Sequence, residues 1–176
     1  TNLEKVIKNF NGTPIMSRTG HSYIKSKIIE TNALLGGEMS GHIFFNDDWY
    51  GFDDAIYSAL RMIEILSKTE STSHEVFNSY PKHFSTPEIN LKVPEEDKFR
   101  IIDDLKNSID SSVYELIDID GIRLENKNSW GLVRASNTSP NLVLRFEGKT
   151  KSDLLEIKNY FKEILSKIEI DLQLDF

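Results

Sequence analysis

Glu38, Ser40 and His42 stand at alternate positions in the string Gly37-Glu38-Met39-Ser40-Gly41-His42, so an extended loop projects a carboxylate, a hydroxyl and an imidazole to one side. That set suits a polyol. A glutamate accepts two bonds from hydroxyls, a serine donates or accepts, and a histidine donates or moves protons near neutral pH. The flanking glycines let a ligand approach the backbone. The same residues also make an ordinary glycine-rich turn with a capping glutamate and an incidental histidine, and spacing alone leaves the two readings level. A second string, Arg134-Ala135-Ser136-Asn137-Thr138-Ser139-Pro140, sets an arginine fork beside hydroxyl and amide side chains and open backbone N–H groups. Such a loop suits a phosphate. The competing reading is a polar connection between strands whose arginine makes a weak surface ion pair. Four small polar residues in succession exceed what a turn requires, which favours the phosphate. Together the strings imply a phosphosugar site.

Other signals are weaker. Asp118-Ile119-Asp120-Gly121 has the start of a cation loop but lacks a third carboxylate and a distal glutamate, so it reads as a plain turn. His74 and His83 have no neighbours at metal-ligand spacing and read as solvated. His21 follows Thr19-Gly20 at the start of a helical pattern, where a ligand-facing role and an exposed helix-start role are equally open. Trp49-Tyr50-Gly51-Phe52 is either an aromatic platform for a sugar or, as aromatics beside a helix start more often are, core.

The elements that must position these loops change character along the chain. Leu3, Val6, Ile7 and Phe10 recur at helical spacing, Asn11-Gly12 ends that helix, and Thr13 to Met16 reads as a strand. Ser22 is placed to cap a second helix with Ile24 and Ile28 on one face, closed by Thr31-Asn32. Ala33 to Leu35 reads as a buried strand, so the Glu38 loop follows a strand end, where open α/β sheets hold ligands. Ile43 to Phe45 resumes as a strand. From Asp53 a long helix carries Ile56, Ala59, Leu60, Ile63 and Leu66 on one face and ends near Ser67-Lys68.

After a polar stretch with Tyr80-Pro81 and Ser85-Thr86-Pro87, the pattern becomes antiparallel α+β. Glu88 to Val93 alternates as a strand, and Pro94 opens a helix bearing Phe99, Ile102, Leu105 and Ile109. Strands are predicted over Tyr114 to Asp118, Ile122 to Leu124, Trp130 to Arg134 and Leu142 to Glu147. Thr150 with Asp153 forms a capping box for a final helix with Leu154, Ile157, Phe161, Ile164, Leu165 and Ile168 as its core stripe.

Composition narrows the function classes. The 176 residues contain no cysteine, which removes disulfides, thiolate metal sites and thiol nucleophiles and fits a reducing compartment, with cytoplasm the expected location. No apolar run approaches the roughly 20 residues that span a bilayer, and Thr1 to Lys5 lack the plan of a signal peptide. A formal charge of −7 opposes binding to nucleic acid, so a phosphate must be captured by a focused cluster, for which Arg134 and Arg145 are the candidates.

Five segments carry a family resemblance: Thr19 to Lys25, Gly37 to His42, Trp49 to Asp54, Ser85 to Asn90, and Trp130 to Thr138. With them the chain resembles the carboxy-terminal part of the α-D-phosphohexomutases, in the phosphomannomutase/phosphoglucomutase branch. The resemblance implies an incomplete third domain over residues 1–84, an α/β unit with a mixed sheet and flanking helices. It implies a fourth domain over residues 85–176, an α+β unit with an antiparallel sheet like that of the TATA-binding protein. Glu38 and Ser40 would hold sugar hydroxyls, with His42 beside them and His21 near the ligand. Arg134, Ser136, Asn137 and Thr138 would hold the phosphate that is not transferred.

The same resemblance implies a reversible exchange of hexose 1-phosphate and 6-phosphate, of mannose or glucose, through a phosphoserine and a 1,6-bisphosphate. The phosphoserine loop (Thr-Ala-Ser-His-Asn-Pro type) and the Mg2+ loop (Asp-Gly-Asp-Gly-Asp-Arg type) of such enzymes are absent from this sequence. The expectation is therefore a recognition fragment, inactive alone, whose partners are hexose phosphates and the upstream domains, the first with the phosphoserine and the second with Mg2+. A non-catalytic phosphosugar-binding module is the alternative.

Overall fold

The computed structural model describes residues 2–110, 112–168, 172 and 174–176. The chain divides into two compact units, Thr1–Pro81 and Lys82–Phe176.

The first unit carries α1 (Asn2–Asn9), α2 (His21–Thr31), β1 (Leu35–Gly37), β2 (Ile43–Phe45), α3 (Ala55–Ser67) and α4 (Ser73–Asn78). Its small core is Ile24 and Ile28 of α2 closed over Phe44 of β2. β1 and β2 pair antiparallel, Leu35 opposite Phe45 and Gly37 opposite Ile43, so residues 38–42 form a hairpin turn. Among the described residues this two-stranded hairpin stands in place of the expected mixed sheet. Thr13 to Met16 is not a strand, because no described strand lies beside it to take its backbone hydrogen bonds. The strand expected at Ala33 to Leu35 begins only at Leu35, and it is not buried: Leu35 is 58% exposed.

Gly20, not Ser22, is the N-cap of α2; its φ of 126° is one that only glycine adopts readily. Asn32 closes the helix in the left-handed conformation at φ 52°. α3 starts at Ala55 rather than Asp53, because Asp54 is its N-cap, the Asp54 carboxylate accepting from the Tyr57 N–H. Its apolar face is not core, however: Ile56, Leu60 and Ile63 are exposed, since no described element of the unit packs over that face. α4 was not expected, although its signal was present: Thr72 and Glu75 form a capping box.

In the second unit β3 (Phe84–Ser85), β4 (Ile89–Lys92), β5 (Glu115–Ile117), β6 (Ile122–Glu125), β7 (Ser129–Ala135) and β8 (Asn141–Gly148) make a six-stranded antiparallel sheet. The order is β3-β8-β7-β6-β5, with β4 also on β8. β3 and β4 line the same edge of β8 and are joined through Thr86, whose N–H donates to the Phe146 carbonyl at 3.0 Å and whose hydroxyl accepts from the Phe146 N–H at 3.1 Å. Helices α5 (Lys98–Asn107) and α6 (Lys151–Ser166) pack on this sheet.

Alternation along the strands explains the layers. Val133, Leu144, Phe146, Ile122 and Leu124 are buried with Ile157, Phe161, Ile164 and Leu165 of α6. Gly131 lies among them because a Cβ there would sit 2.5 Å from the Phe161 ring. Trp130, Leu132 and Arg134 alternate to the opposite face, with Arg145 across from Leu132 and Val143 across from Arg134. The Thr150–Asp153 capping box forms as its sequence suggests. α5 is rotated from the expected face: Lys98, Ile101 and Leu105 are buried, while Phe99 is 61% exposed.

Candidate functional site

The Glu38 turn is closed by its own backbone. The Glu38 N–H donates to the His42 carbonyl at 2.9 Å and the Gly41 N–H to the Glu38 carbonyl at 3.0 Å. The Glu38 side chain then ties the hairpin to the start of α2, its Oε1 accepting from the Gly20 N–H at 2.6 Å while Oε2 accepts from the Ser40 hydroxyl at 3.2 Å. Gly20 therefore has two roles, capping α2 and presenting its N–H to the loop. His21, the first residue of α2, lies against His42 with ring centroids 4.5 Å apart, and against Phe44 at 5.5 Å. The fold thus brings all four candidates of this unit, His21, Glu38, Ser40 and His42, into one cluster.

Asp53 belongs to this cluster and was not singled out by its sequence. Its Oδ2 lies 2.7 Å from His42 Nδ1 and 3.6 Å from His21 Nε2, and its Oδ1 accepts from the Ile43 N–H at 3.2 Å. The His42 hydrogen bond, above all, holds its carboxyl below the usual 3.8. Along the sequence Asp53 marks only the beginning of a helical pattern; its contact with His42 depends on the isolated bridge between Phe44 and Asp53, which folds the chain back on β2.

The aromatic segment nearby divides in two. Trp49 stacks on Tyr57 at 4.2 Å and donates from Nε1 to Asp54 at 3.3 Å, so it packs within the unit. Tyr50 is 78% exposed and lies over Phe52.

The Arg134 loop joins β7 to β8. Ser136 is buried, and its Oγ accepts from the Thr138 and Ser139 N–H groups at 3.3 and 3.2 Å and pairs with the Ser139 hydroxyl at 2.9 Å. This is a serine organising its own turn. The Ser136 N–H donates to the Asn141 carbonyl at 2.9 Å, which seals the base of the loop. Asn137 and Thr138, in contrast, are exposed at the tip. Lys98, missed because it interrupts the apolar pattern of α5, is 4% exposed and donates from Nζ to the Ser136 carbonyl at 2.9 Å, with Glu95 at 2.5 Å.

Arginine pairing separates the candidates from the rest. Arg61, Arg100 and Arg123 pair with Asp47, Asp97 and Glu125, and Arg18 lies over Tyr23. Among the described residues Arg134 and Arg145 have no such carboxylate, and both stand on the sheet face away from the helices. Their guanidinium groups are uncommitted donors for an anion.

Two remaining expectations are settled by geometry. His83 is not solvated: its Nδ1 lies 2.8 Å from Glu147 and both side chains are largely covered. His74 is exposed and bonded to Asn78 at 2.7 Å. At the Asp118–Gly121 turn, Asp118 pairs with Lys106.

An α/β unit with a carboxylate–hydroxyl–imidazole hairpin is followed by an antiparallel α+β unit whose β7–β8 loop opens on an arginine that pairs with no carboxylate among the described residues. Residues 1–84 match the family model described as phosphoglucomutase/phosphomannomutase, alpha/beta/alpha domain III, and residues 88–164 match that of the phosphoglucomutase/phosphomannomutase C-terminal domain. The chain belongs to the phosphoglucomutase/phosphomannomutase family. It is 51% identical over 174 residues to a phosphomannomutase/phosphoglucomutase of Pseudomonas putida, covering 99% of this chain and 38% of that protein. A phosphomannomutase of Methanocaldococcus jannaschii is 27% identical over 170 residues, covering 97% of this chain and 37% of that protein. The crystal structure of a phosphoglucomutase/phosphomannomutase family protein from Burkholderia thailandensis superposes with a TM-score of 0.88 at 40% identity, covering 97% of this chain and 36% of that one. The chain thus spans less than two fifths of the length of these relatives.

Proposed function

We propose that this chain supplies sugar and phosphate recognition to a phosphohexomutase that exchanges hexose 1-phosphate and hexose 6-phosphate through a phosphoserine and a 1,6-bisphosphate. The observation that carries the reading is a pair of clusters: His21 at the start of α2 gathered with Glu38, Ser40 and His42 of the hairpin turn, and Arg134, which pairs with no carboxylate among the described residues, in one loop with an exposed Asn137 and Thr138.

In the first unit Glu38 accepts from sugar hydroxyls, Ser40 donates or accepts, and His42 presents Nε2, because its Nδ1 is held by the acceptor-only Asp53 carboxylate. In the second, Arg134 grips the phosphate as a planar fork and the Asn137 and Thr138 side chains add donors. Ser136 acts by shaping the turn, with its hydroxyl oxygen accepting from the N–H groups of Thr138 and Ser139. A bisphosphate that must react at either end needs grips that do not depend on which end is reacting, and hydroxyls plus the idle phosphate provide them.

The Mg2+ and the phosphoserine that the family implies are assigned to upstream domains. The described residues here do not fit Mg2+: two imidazoles with one carboxylate differ from the oxygen shell it demands, and Asp118 is committed to Lys106. A cytoplasmic location is part of the proposal; no described helix is long and apolar enough to cross a membrane.

Calorimetric titration of glucose 1-phosphate and mannose 1-phosphate into the full-length enzyme and its Glu38→Gln and Arg134→Ala variants tests the assignment. Both variants should bind more weakly. Unchanged binding in both overturns it, as does turnover by the 176-residue chain alone, which would have to find its phosphoryl donor elsewhere.

A further inference from the structure

Three potential metal ligands converge on the Glu38 hairpin in a way sugar recognition does not require. The ligand atoms of His21, Glu38 and His42 all lie within 4.8 Å of one another, on one helix start and one β-turn. We propose that this cluster is a binding site for a borderline-soft divalent cation of the Zn2+, Co2+ or Ni2+ class.

The donor chemistry selects the metal. Imidazole nitrogens suit zinc, cobalt and nickel, whereas a hard cation such as Mg2+ or Ca2+ seeks oxygen. Orientation is already arranged. A carboxylate accepts but cannot donate, so the 2.7 Å contact with Asp53 fixes the proton of His42 on Nδ1 and leaves the lone pair on Nε2. A carboxylate behind a ligating histidine is the usual support of a zinc site, raising ligand basicity and holding the ring. Glu38 is steadied from the other side by the Gly20 N–H at 2.6 Å.

Tetrahedral ligands at about 2.0–2.1 Å from a metal lie about 3.3 Å from each other, so the three side chains must close in from their spacing of up to 4.8 Å. The side chains of His21 and His42, 47% and 43% exposed, have room to do so. That exposure also leaves the remaining coordination positions to water, as in exchangeable rather than structural sites. An occupied site ties up Glu38 and His42, so cation and sugar hydroxyls exclude one another. This consequence rests on the sugar-recognition reading; the site itself does not.

Co2+ titrated into the intact protein with Mg2+ in excess is the test. One equivalent should produce the visible bands of four- or five-coordinate Co2+, Zn2+ should abolish them, and the ring protons of His21 and His42, but not of His74 and His83, should shift paramagnetically. His21→Ala and His42→Ala should remove the bands and His74→Ala should keep them. Asp53→Asn, which retains all three ligands, should weaken affinity roughly 10–100-fold without changing the band shape. Absence of the bands, or paramagnetic shifts on His74 or His83 in place of His21 and His42, overturns the site, and the proton shifts need no variant to fold. Saturating glucose 1-phosphate should bleach the bands. Bands that persist overturn the competition and the sugar assignment while the Co2+ site stands.

Discussion

Asp53 Oδ2 lies 2.7 Å from His42 Nδ1 across eleven positions of sequence, and the same carboxylate takes the Ile43 N–H through its other oxygen. One side chain therefore sets both the ring of His42 and the backbone at the exit of the Glu38 turn. Asp53→Asn offers an amide that can point its NH2 at Nδ1 and reverse the tautomer. In the intact enzyme kcat/KM for hexose phosphates should fall severalfold. Histidine nitrogen NMR should show the proton of His42 moving from Nδ1, a change that loss of structure alone does not produce.

Arg134, which pairs with no carboxylate among the described residues, predicts an ordered series. Arg134→Ala removes a charge-assisted bond of about 1.5–3 kcal/mol, or roughly 10- to 150-fold in substrate affinity. Arg134→Lys keeps the charge and loses the fork, so it should fall between the two. Calorimetry against both sugar 1-phosphates measures the order, and an alanine variant that binds as the wild type removes Arg134 from the site.

Lys98 predicts a defect transmitted through the loop. Lys98→Met leaves the Ser136 carbonyl without its buried donor, at a cost of about 1–3 kcal/mol in a denaturant titration. Phosphate affinity should fall with it, although Lys98 itself is 4% exposed. Ser136→Ala should weaken phosphate binding by the same route, since its Oγ holds the N–H groups of Thr138 and Ser139.

Gly131→Ala places a methyl group 2.5 Å from Phe161 and 2.8 Å from Phe146, both fully buried. Overpacking of this kind costs about 1–3 kcal/mol. The unfolding midpoint should drop, while phosphate affinity at temperatures where the variant is folded should stay near that of the wild type.

Lys106 and Asp118 predict opposite pH limbs. Their hydrogen bond, and then their mutual charge, holds the Asp118 carboxyl below 3.8 and the Lys106 ammonium above 10.5. The Asp118 contribution to stability is present above its unfolded value and lost as pH falls through the lowered one. The Lys106 contribution is present below its unfolded value and lost as pH rises through the raised one. A carboxyl-carbon NMR titration should find Asp118 below 3.8 and, in Lys106→Met, back toward it.

The sequence alone determined what depends on neighbours along the chain. That the Gly37–His42 and Arg134–Pro140 strings form turns was legible because turns draw on local hydroxyls and glycines, and the strands of the second unit because alternation is itself local: Val133 inward, Arg134 outward. The Thr150–Asp153 cap was legible for the same reason. What only the tertiary structure decided is which distant groups meet. Asp53 joins His42 through a chain reversal, Lys98 joins Ser136 across thirty-eight positions, and His83 joins Glu147 across sixty-four. No periodicity announces such pairs, since each arises from two segments brought together by packing. The apolar stripe of α3 shows the converse: amphipathicity marks a face fit for burial, but Ile56, Leu60 and Ile63 are exposed because burial also needs an element to lie across them.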